Sequence, residues 1–216
     1  MIRFVTGTGL GVGKTAASAV LARADHDAGL SVAYLKAVQT GIQVGEPGDA
    51  EFVRVAALVN VSECFRFETR FDPAIAAEQS ATEINVDWLV NQAQAMSSTV
   101  DVLYLETTGG LLTPLTGDLT MGDFGTRLGA EVLIVTRVGL GSLNAAALTL
   151  EATRTRALGF GGFVVNRWPE TPGVVERTTF ERIGRLGKIL GAIPEVDELD
   201  THRPAPLPPE LTLRSL

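Results

Sequence analysis

Val5-Thr6-Gly7-Thr8-Gly9-Leu10-Gly11-Val12-Gly13-Lys14-Thr15 follows a short apolar run, residues 2–5, and leads into the helix-forming stretch Ala16-Ala17-Ser18-Ala19-Val20-Leu21-Ala22. Strand, glycine-rich turn and helix is the context that a phosphate-binding loop requires. Glycines let the chain curl with its N–H groups inward, forming a nest for anionic oxygens. The helix that follows adds the positive end of its dipole. Lys14 supplies a point charge for the outer phosphates and Thr15 a hydroxyl for Mg²⁺. The strict pattern G-x-x-x-x-G-K-[ST] asks for glycine at position 8, which is Thr8; counted from Gly7, the gap holds five residues. The flanks and the Val-Gly-Lys-Thr ending still predict a nucleoside triphosphate site, with Gly9, Leu10, Gly11, Val12, Gly13, Lys14 and Thr15 on the nucleotide.

Composition narrows the class. At 216 residues the chain suits one domain with a full core. A net charge of −7 without any basic stripe argues against nucleic acid. Cys64 is the only cysteine, so no intrachain disulfide forms, and no Cys/His spacing suggests zinc. His26 and His202 are isolated, which disfavours histidine-based catalysis. The expectation is a cytoplasmic protein with no signal peptide and no membrane span, since no apolar run reaches ~18 residues.

Gly29 should end the first helix, near Ala28. Residues 31–35 then read as a buried parallel strand, with Lys36 at its carboxyl end. Asp49 opens a helix and reads either as its N-cap or as a site residue. Residues 64–67 and 71–74 read as irregular connection. Cys64 there is a packed small hydrophobe rather than a nucleophile. Residues 82–97 carry Ile84, Trp88, Leu89 and Ala95 at helical spacing, a core stripe. Residues 100–106 form a strand ending in Glu106, placed before a Gly-Gly turn as a P-loop enzyme places its Mg²⁺ carboxylate. Strands over 131–136, 161–166 and 189–194 alternate with helices over 121–128, 143–157 and 174–186. The proline-bearing tail from about 197 lacks periodicity and should be loosely held.

Strands separated by helices predict an α/β fold: a single-domain P-loop NTPase, a parallel sheet with helices on both faces. Lys14, Lys36, Glu106 and Asn166 each end an apolar strand or lie just beyond one. Right-handed crossovers bring such ends to one sheet edge, where ligands bind.

The motif set resembles the dethiobiotin synthetases. Their loop G-T-x-x-x-V-G-K-T stands here at Gly7 to Thr15, and K-P-V-x-[ST]-G at Lys36-Ala37-Val38-Gln39-Thr40-Gly41. V-E-G-A-G-G appears as Leu105-Glu106-Thr107-Thr108-Gly109-Gly110, followed by Thr113-Pro114-Leu115. L-G-x-[IL]-N-H appears as Leu140-Gly141-Ser142-Leu143-Asn144-Ala145. The resemblance runs from residue 2 to about 196. Four departures stand out: Leu10 for a threonine, Ala37 for proline, Thr107-Thr108 for Gly-Ala, and Ala145 for histidine. Ala37 should loosen the strand end at Lys36, and the two threonines should crowd the metal carboxylate.

The resemblance implies a ligase that joins 7,8-diaminopelargonate (7,8-diaminononanoate), CO2 or bicarbonate, and ATP into dethiobiotin. Lys14 and Lys36 would be catalytic, and Thr15, Asp49 and Glu106 would hold Mg²⁺. Glu106, Thr107, Thr108, Gly109, Asn166, Arg167, Pro194, Glu195 and Val196 would join the loop on the nucleotide, Asn166 with 194–196 against adenine. Thr40 would bind the diamine or carbamate. Gly141, Ser142, Leu143 and Asn144 would reach the substrate carboxylate across a homodimer interface. An amidotransferase-linked synthase would need a glutaminase cysteine, and only Cys64 is present. A partitioning ATPase with a deviant loop would need lysine at Gly9. The alternative that stays open is a nucleotide-binding paralogue with an altered substrate or regulatory role.

Overall fold

A computed structural model describes residues 1–196 and 199–215. The chain alternates β1 (Ile2–Gly7), α1 (Lys14–Asp27), β2 (Val32–Thr40), α2 (Asp49–Ala57) and β3 (Asn60–Phe67). It continues through α3 (Pro73–Gln79), α4 (Val86–Ser97), β4 (Val102–Glu106) and α5 (Met121–Arg127). It closes with β5 (Glu131–Thr136), α6 (Ser142–Thr155), β6 (Gly159–Trp168), α7 (Val174–Leu186) and β7 (Ile189–Pro194). The strands form one seven-stranded sheet in the order β3-β2-β4-β1-β5-β6-β7. Every pairing between these strands is parallel.

The side-chain period of two divides the core. Leu103 and Leu105 of β4 pack with Phe4, Leu35, Ile134 and Phe163 on one face. Val102 and Tyr104, the alternate residues, pack with Val5, Tyr34, Val135 and residues of α1 and α2 on the other. All five residues of β4 are buried, which is why that stretch reads as an unbroken apolar run. The connections leaving β1 and β4, neighbours in the sheet, depart toward opposite edges. The crevice between them is where an open α/β sheet takes its ligand.

Several expectations are corrected. β2 does not stop at Lys36; it runs to Thr40, pairing with β3 as far as Phe67. Ala37 therefore continues the strand rather than loosening its end. Residues 64–67 are the end of β3, an edge strand, and the stretch after Asp72 is the short helix α3. These had looked irregular because the edge strand mixes charged and apolar residues. On α4 the buried face is Val86, Leu89 and Ala93; Trp88 is 41% exposed and Ala95 is exposed. Trp88 instead meets Phe65 edge-on, with centroids 5.6 Å apart.

The tail is anchored where it is described. Arg214 and Ala192 exchange backbone hydrogen bonds of 2.8 and 2.9 Å in an antiparallel bridge, and Leu211 is buried. Residues 197, 198 and 216 of that tail lie outside the described residues.

Candidate active site

The glycine-rich turn after β1 reaches the start of α1 through two left-handed positions, Gly11 at φ 64° and Gly13 at φ 91°. Gly13 is also required by space, since a Cβ there would lie 1.9 Å from Asn166 Nδ2. Asn166 uses that closeness to donate a 2.9 Å hydrogen bond to the Val12 carbonyl, tying β6 to the loop. Arg137 does the same from β5's end, donating to the Gly11 carbonyl. The loop is held from outside, and Thr8 N–H ties its first residue to the Val135 carbonyl at 3.0 Å.

Lys14 and Thr15 are the first two residues of α1, both buried. Glu106 ends β4 opposite them and is 1% exposed. Its Oε1 accepts from Thr15 Oγ1 at 3.0 Å and from Lys36 Nζ at 2.7 Å. Its Oε2 accepts from Ser18 Oγ at 3.1 Å and from Tyr34 OH at 2.9 Å. Lys36 is paired in register with Glu106 across β2 and β4, which is what brings the two side chains together. The same ammonium lies 2.7 Å from Asp49 Oδ2.

Asp49 is the first residue of α2, and its side chain does not cap that helix. Its backbone N–H instead donates to Gln39 Oε1 at 3.0 Å. Gln39 thus satisfies one of the orphan amides, while the Asp49 carboxylate turns to Lys36 in the cleft. Of the two readings open in the sequence, the cap is overturned.

The electrostatics follow from this packing. Burial alone would lower the Lys36 pKa, but Asp49 and Glu106 outweigh it and hold the ammonium above its usual range. Burial would likewise raise Asp49, yet Lys36 keeps that carboxyl below the ordinary carboxylate range. Lys14 is lowered, first by burial and then by the neighbouring Lys36, with Glu106 opposing.

A cleft of about 580 Å³ opens along this edge. Of the expected residues, Leu10, Gly11, Gly13, Lys14, Thr15, Lys36, Thr40, Asp49, Glu106, Thr108 and Gly109 line it. So do Asn166, Arg167, Pro194, Glu195 and Val196 at the other end. Consecutive residues of a regular strand face opposite sides, but the register of β6 on β7 shifts between Val165 and Trp168. Arg167 sits in that irregularity at φ 54°, so both it and Asn166 reach the cleft.

Other expected residues fall outside. Gly9, Val12 and Thr107 do not line the cleft. Thr107 is fully buried with its hydroxyl on Thr6 and Gly109, so it does not crowd the carboxylate. Thr108 turns its hydroxyl onto the Val38 carbonyl of β2. Gly141, Ser142, Leu143 and Asn144, at the start of α6, are likewise absent from the lining. Leu140 beside them is 96% exposed.

Sequence reading missed Ser18, Tyr34 and Gln39, which lie in stretches explained well enough by helix and strand packing. It also missed Leu199, Thr201, His202 and Leu211, which the tail folds onto the cleft. No local pattern marks those positions.

Thr15, Asp49 and Glu106 offer a hydroxyl and two carboxylates gathered around one ammonium. That all-oxygen set suits Mg²⁺ rather than a soft metal. Among the described residues no group of three His, Cys, Asp or Glu side chains assembles a different metal site.

The AAA domain family matches residues 3–203. The chain is 40% identical over 176 residues to the ATP-dependent dethiobiotin synthetase BioD of Frankia casuarinae, covering 80% of this chain and 74% of that one. It is 38% identical over 215 residues to the protein of the same name from Anaeromyxobacter sp. (strain K), covering 88% and 96%. Among solved structures, the MinD cell division protein of Aquifex aeolicus superposes with a TM-score of 0.61 at 17% identity, covering 95% of this chain and 87% of that one. A ParA family ATPase from Chlorobium tepidum gives 0.59 at 13%, covering 91% and 84%. These two share the fold, at identities too low to carry a function.

Proposed function

From a chain that belongs to the ATP-dependent dethiobiotin synthetase family, a group of ligases in biotin biosynthesis, we propose the following division of labour. The substrates are 7,8-diaminopelargonate, CO2 and ATP. One amine of the diamine adds to CO2 and loses a proton, giving a carbamate. A carbamate oxygen attacks the γ-phosphorus and ADP departs, leaving a carbamic-phosphoric anhydride. The second amine attacks the carbamoyl carbon, phosphate leaves, and the ureido ring closes.

The supporting observation is Lys36, held in the cleft between Asp49 and Glu106 beside Lys14 and Thr15. The loop amides and Lys14 bind and neutralise the phosphates. Thr15, Asp49 and Glu106 would hold Mg²⁺, which when bound neutralises charge on the β- and γ-phosphate oxygens. Lys36 has a flexible stem and can turn its ammonium from the carboxylates to the carbamate. Thr40, at the end of β2, orients the diamine or carbamate by hydrogen bonding. Asn166, Arg167, Pro194, Glu195 and Val196 take the adenosine end of ATP.

The residues around Gly141–Asn144 belong to a two-fold interface in this reading, where they meet the partner copy's substrate carboxylate. Exposed Leu140, Leu143 and Leu148 supply apolar area for such an interface. No helix among the described residues is long and apolar enough to cross a membrane.

The test is ADP and phosphate release from purified protein in bicarbonate, with and without the diamine, together with product detection by mass. Diamine-dependent release with dethiobiotin formed is expected. Release indifferent to the diamine would leave a nucleotide-binding paralogue with another task.

A further inference from the structure

Glu106 has its four acceptor positions filled by four side chains, and their arrangement is ordered. α1 contributes two donors one turn apart, Thr15 and Ser18, and β2 contributes two donors on one face, Tyr34 and Lys36. Each carboxylate oxygen takes one donor from the helix and one from the strand. The two oxygens nevertheless face different company. Oε1 meets Thr15 and Lys36, both of which line the cleft; Ser18 and Tyr34, on Oε2, do not. Both of the latter are 0% exposed.

We propose that Tyr34 and Ser18 are positioning residues that lock Oε2 of Glu106, so that the carboxylate presents Oε1 alone to a divalent cation in the cleft. This rests on the reading of Glu106 as a metal ligand.

The physical grounds are threefold. A carboxylate turns readily about its last bond, and in a buried site with one free oxygen it could swing or chelate with both. Two hydroxyls on Oε2, from two different elements, remove that freedom. Both donors are neutral, so a cation arriving at Oε1 repels them far less than it repels the ammonium of Lys36. Finally, packing alone does not call for this phenol. Tyr34 belongs to the apolar cluster of Val5, Val32 and Val102, where phenylalanine would fill nearly the same volume. A single-oxygen ligand suits Mg²⁺, which demands near-ideal octahedral geometry; Ca²⁺ accepts bidentate carboxylates in looser shells.

The experiment measures cation binding in the ADP complex, independently of turnover. Mn²⁺ affinity is read by electron paramagnetic resonance of the free ion, and Mg²⁺ and Ca²⁺ by competition. Tyr34→Phe and Ser18→Ala are each expected to weaken Mn²⁺ by ~10-fold, the range typical for groups that orient a metal ligand. The ratio of Ca²⁺ to Mg²⁺ affinity should rise in both, because Glu106 regains its second oxygen. ADP affinity in the presence of a chelator should match wild type. Ser18→Ala removes one hydroxyl from a helix and keeps the test decisive should Tyr34→Phe fold poorly. Mn²⁺ affinity and Ca²⁺ preference unchanged in the folded variants, while Glu106→Gln loses Mn²⁺, would overturn the lock. Unchanged Mn²⁺ binding in Glu106→Gln would instead remove Glu106 from the metal.

Discussion

Lys36 Nζ and Asp49 Oδ2 lie 2.7 Å apart, joined across the loop between the end of β2 and the start of α2. The contact is almost fully sheltered: the lysine side chain is 4% exposed and the aspartate 13%. With Glu106 on its other side, the ammonium separates two carboxylates that would otherwise repel. Removing the lysine is therefore different from removing a surface charge.

Lys36→Ala should cost on the order of 3–5 kcal/mol of stability, the usual penalty for breaking a buried pair from one side. Mg²⁺ should restore part of the loss by placing a cation between the same carboxylates. Urea unfolding with and without Mg²⁺ reads both effects. Nucleotide binding should persist while diamine-dependent phosphate release disappears. Full release in the variant would mean that Lys36 serves only as a counter-ion.

Asp49→Asn should leave α2 in place, because Gln39 and not the Asp49 side chain receives the helix's first amide. The amide side chain can still accept from Lys36, so the unfolding midpoint should fall only slightly. The Mg²⁺ concentration for half-maximal turnover should rise several-fold as one carboxylate charge is lost. A Mg²⁺ titration identical to wild type would exclude Asp49 from the metal.

Gly13→Ala meets two obstacles, a left-handed backbone at φ 91° and a Cβ position 1.9 Å from Asn166 Nδ2. Nucleotide affinity should fall by at least ~100-fold as the loop is forced open. Adding Asn166→Ala relieves the clash but not the backbone cost. The double variant should recover stability in part, and calorimetry with ADP should show affinity still well below wild type. Complete recovery would mean that space alone, without backbone conformation, dictates glycine.

Cys64 should be a slow thiol. Burial, followed by the charge of Glu63, pushes its pKa up to about 11. Since the thiolate is the reactive form, about one thiol in a thousand is ionised at pH ~8. Iodoacetamide labelling should be far slower than for a free thiol at that pH and should climb steadily toward pH ~11. Rapid labelling near neutrality would contradict a packed, inert cysteine on β3.

Local sequence determined much of this protein. The glycine-rich turn before Lys14 and Thr15 fixed a phosphate-binding loop, because such backbone curvature leaves few alternatives. Largely apolar runs fixed the central strands, since a strand covered on both faces holds few charged residues, and those only where they are paired. Glu106 stood out for ending one of them. Where burial is one-sided the pattern weakened, so the edge strand β3 read as irregular and Trp88 as core.

Only the tertiary structure decided which of two plausible roles a residue plays. Asp49 looks like a helix cap until it is found inside the first turn of α2, with its carboxylate on Lys36 and its own N–H on Gln39 from the preceding strand. Lys36 looks like a strand end until the register of β2 on β4 sets it against Glu106 in mid-strand. Tyr34 and Ser18 look like packing residues until both hydroxyls converge on one carboxylate oxygen. The physical reason is common to all of them. Helix and strand periodicities are local and are written into neighbouring residues, whereas a hydrogen-bond partner contributed by a distant strand leaves no mark on the residues beside it.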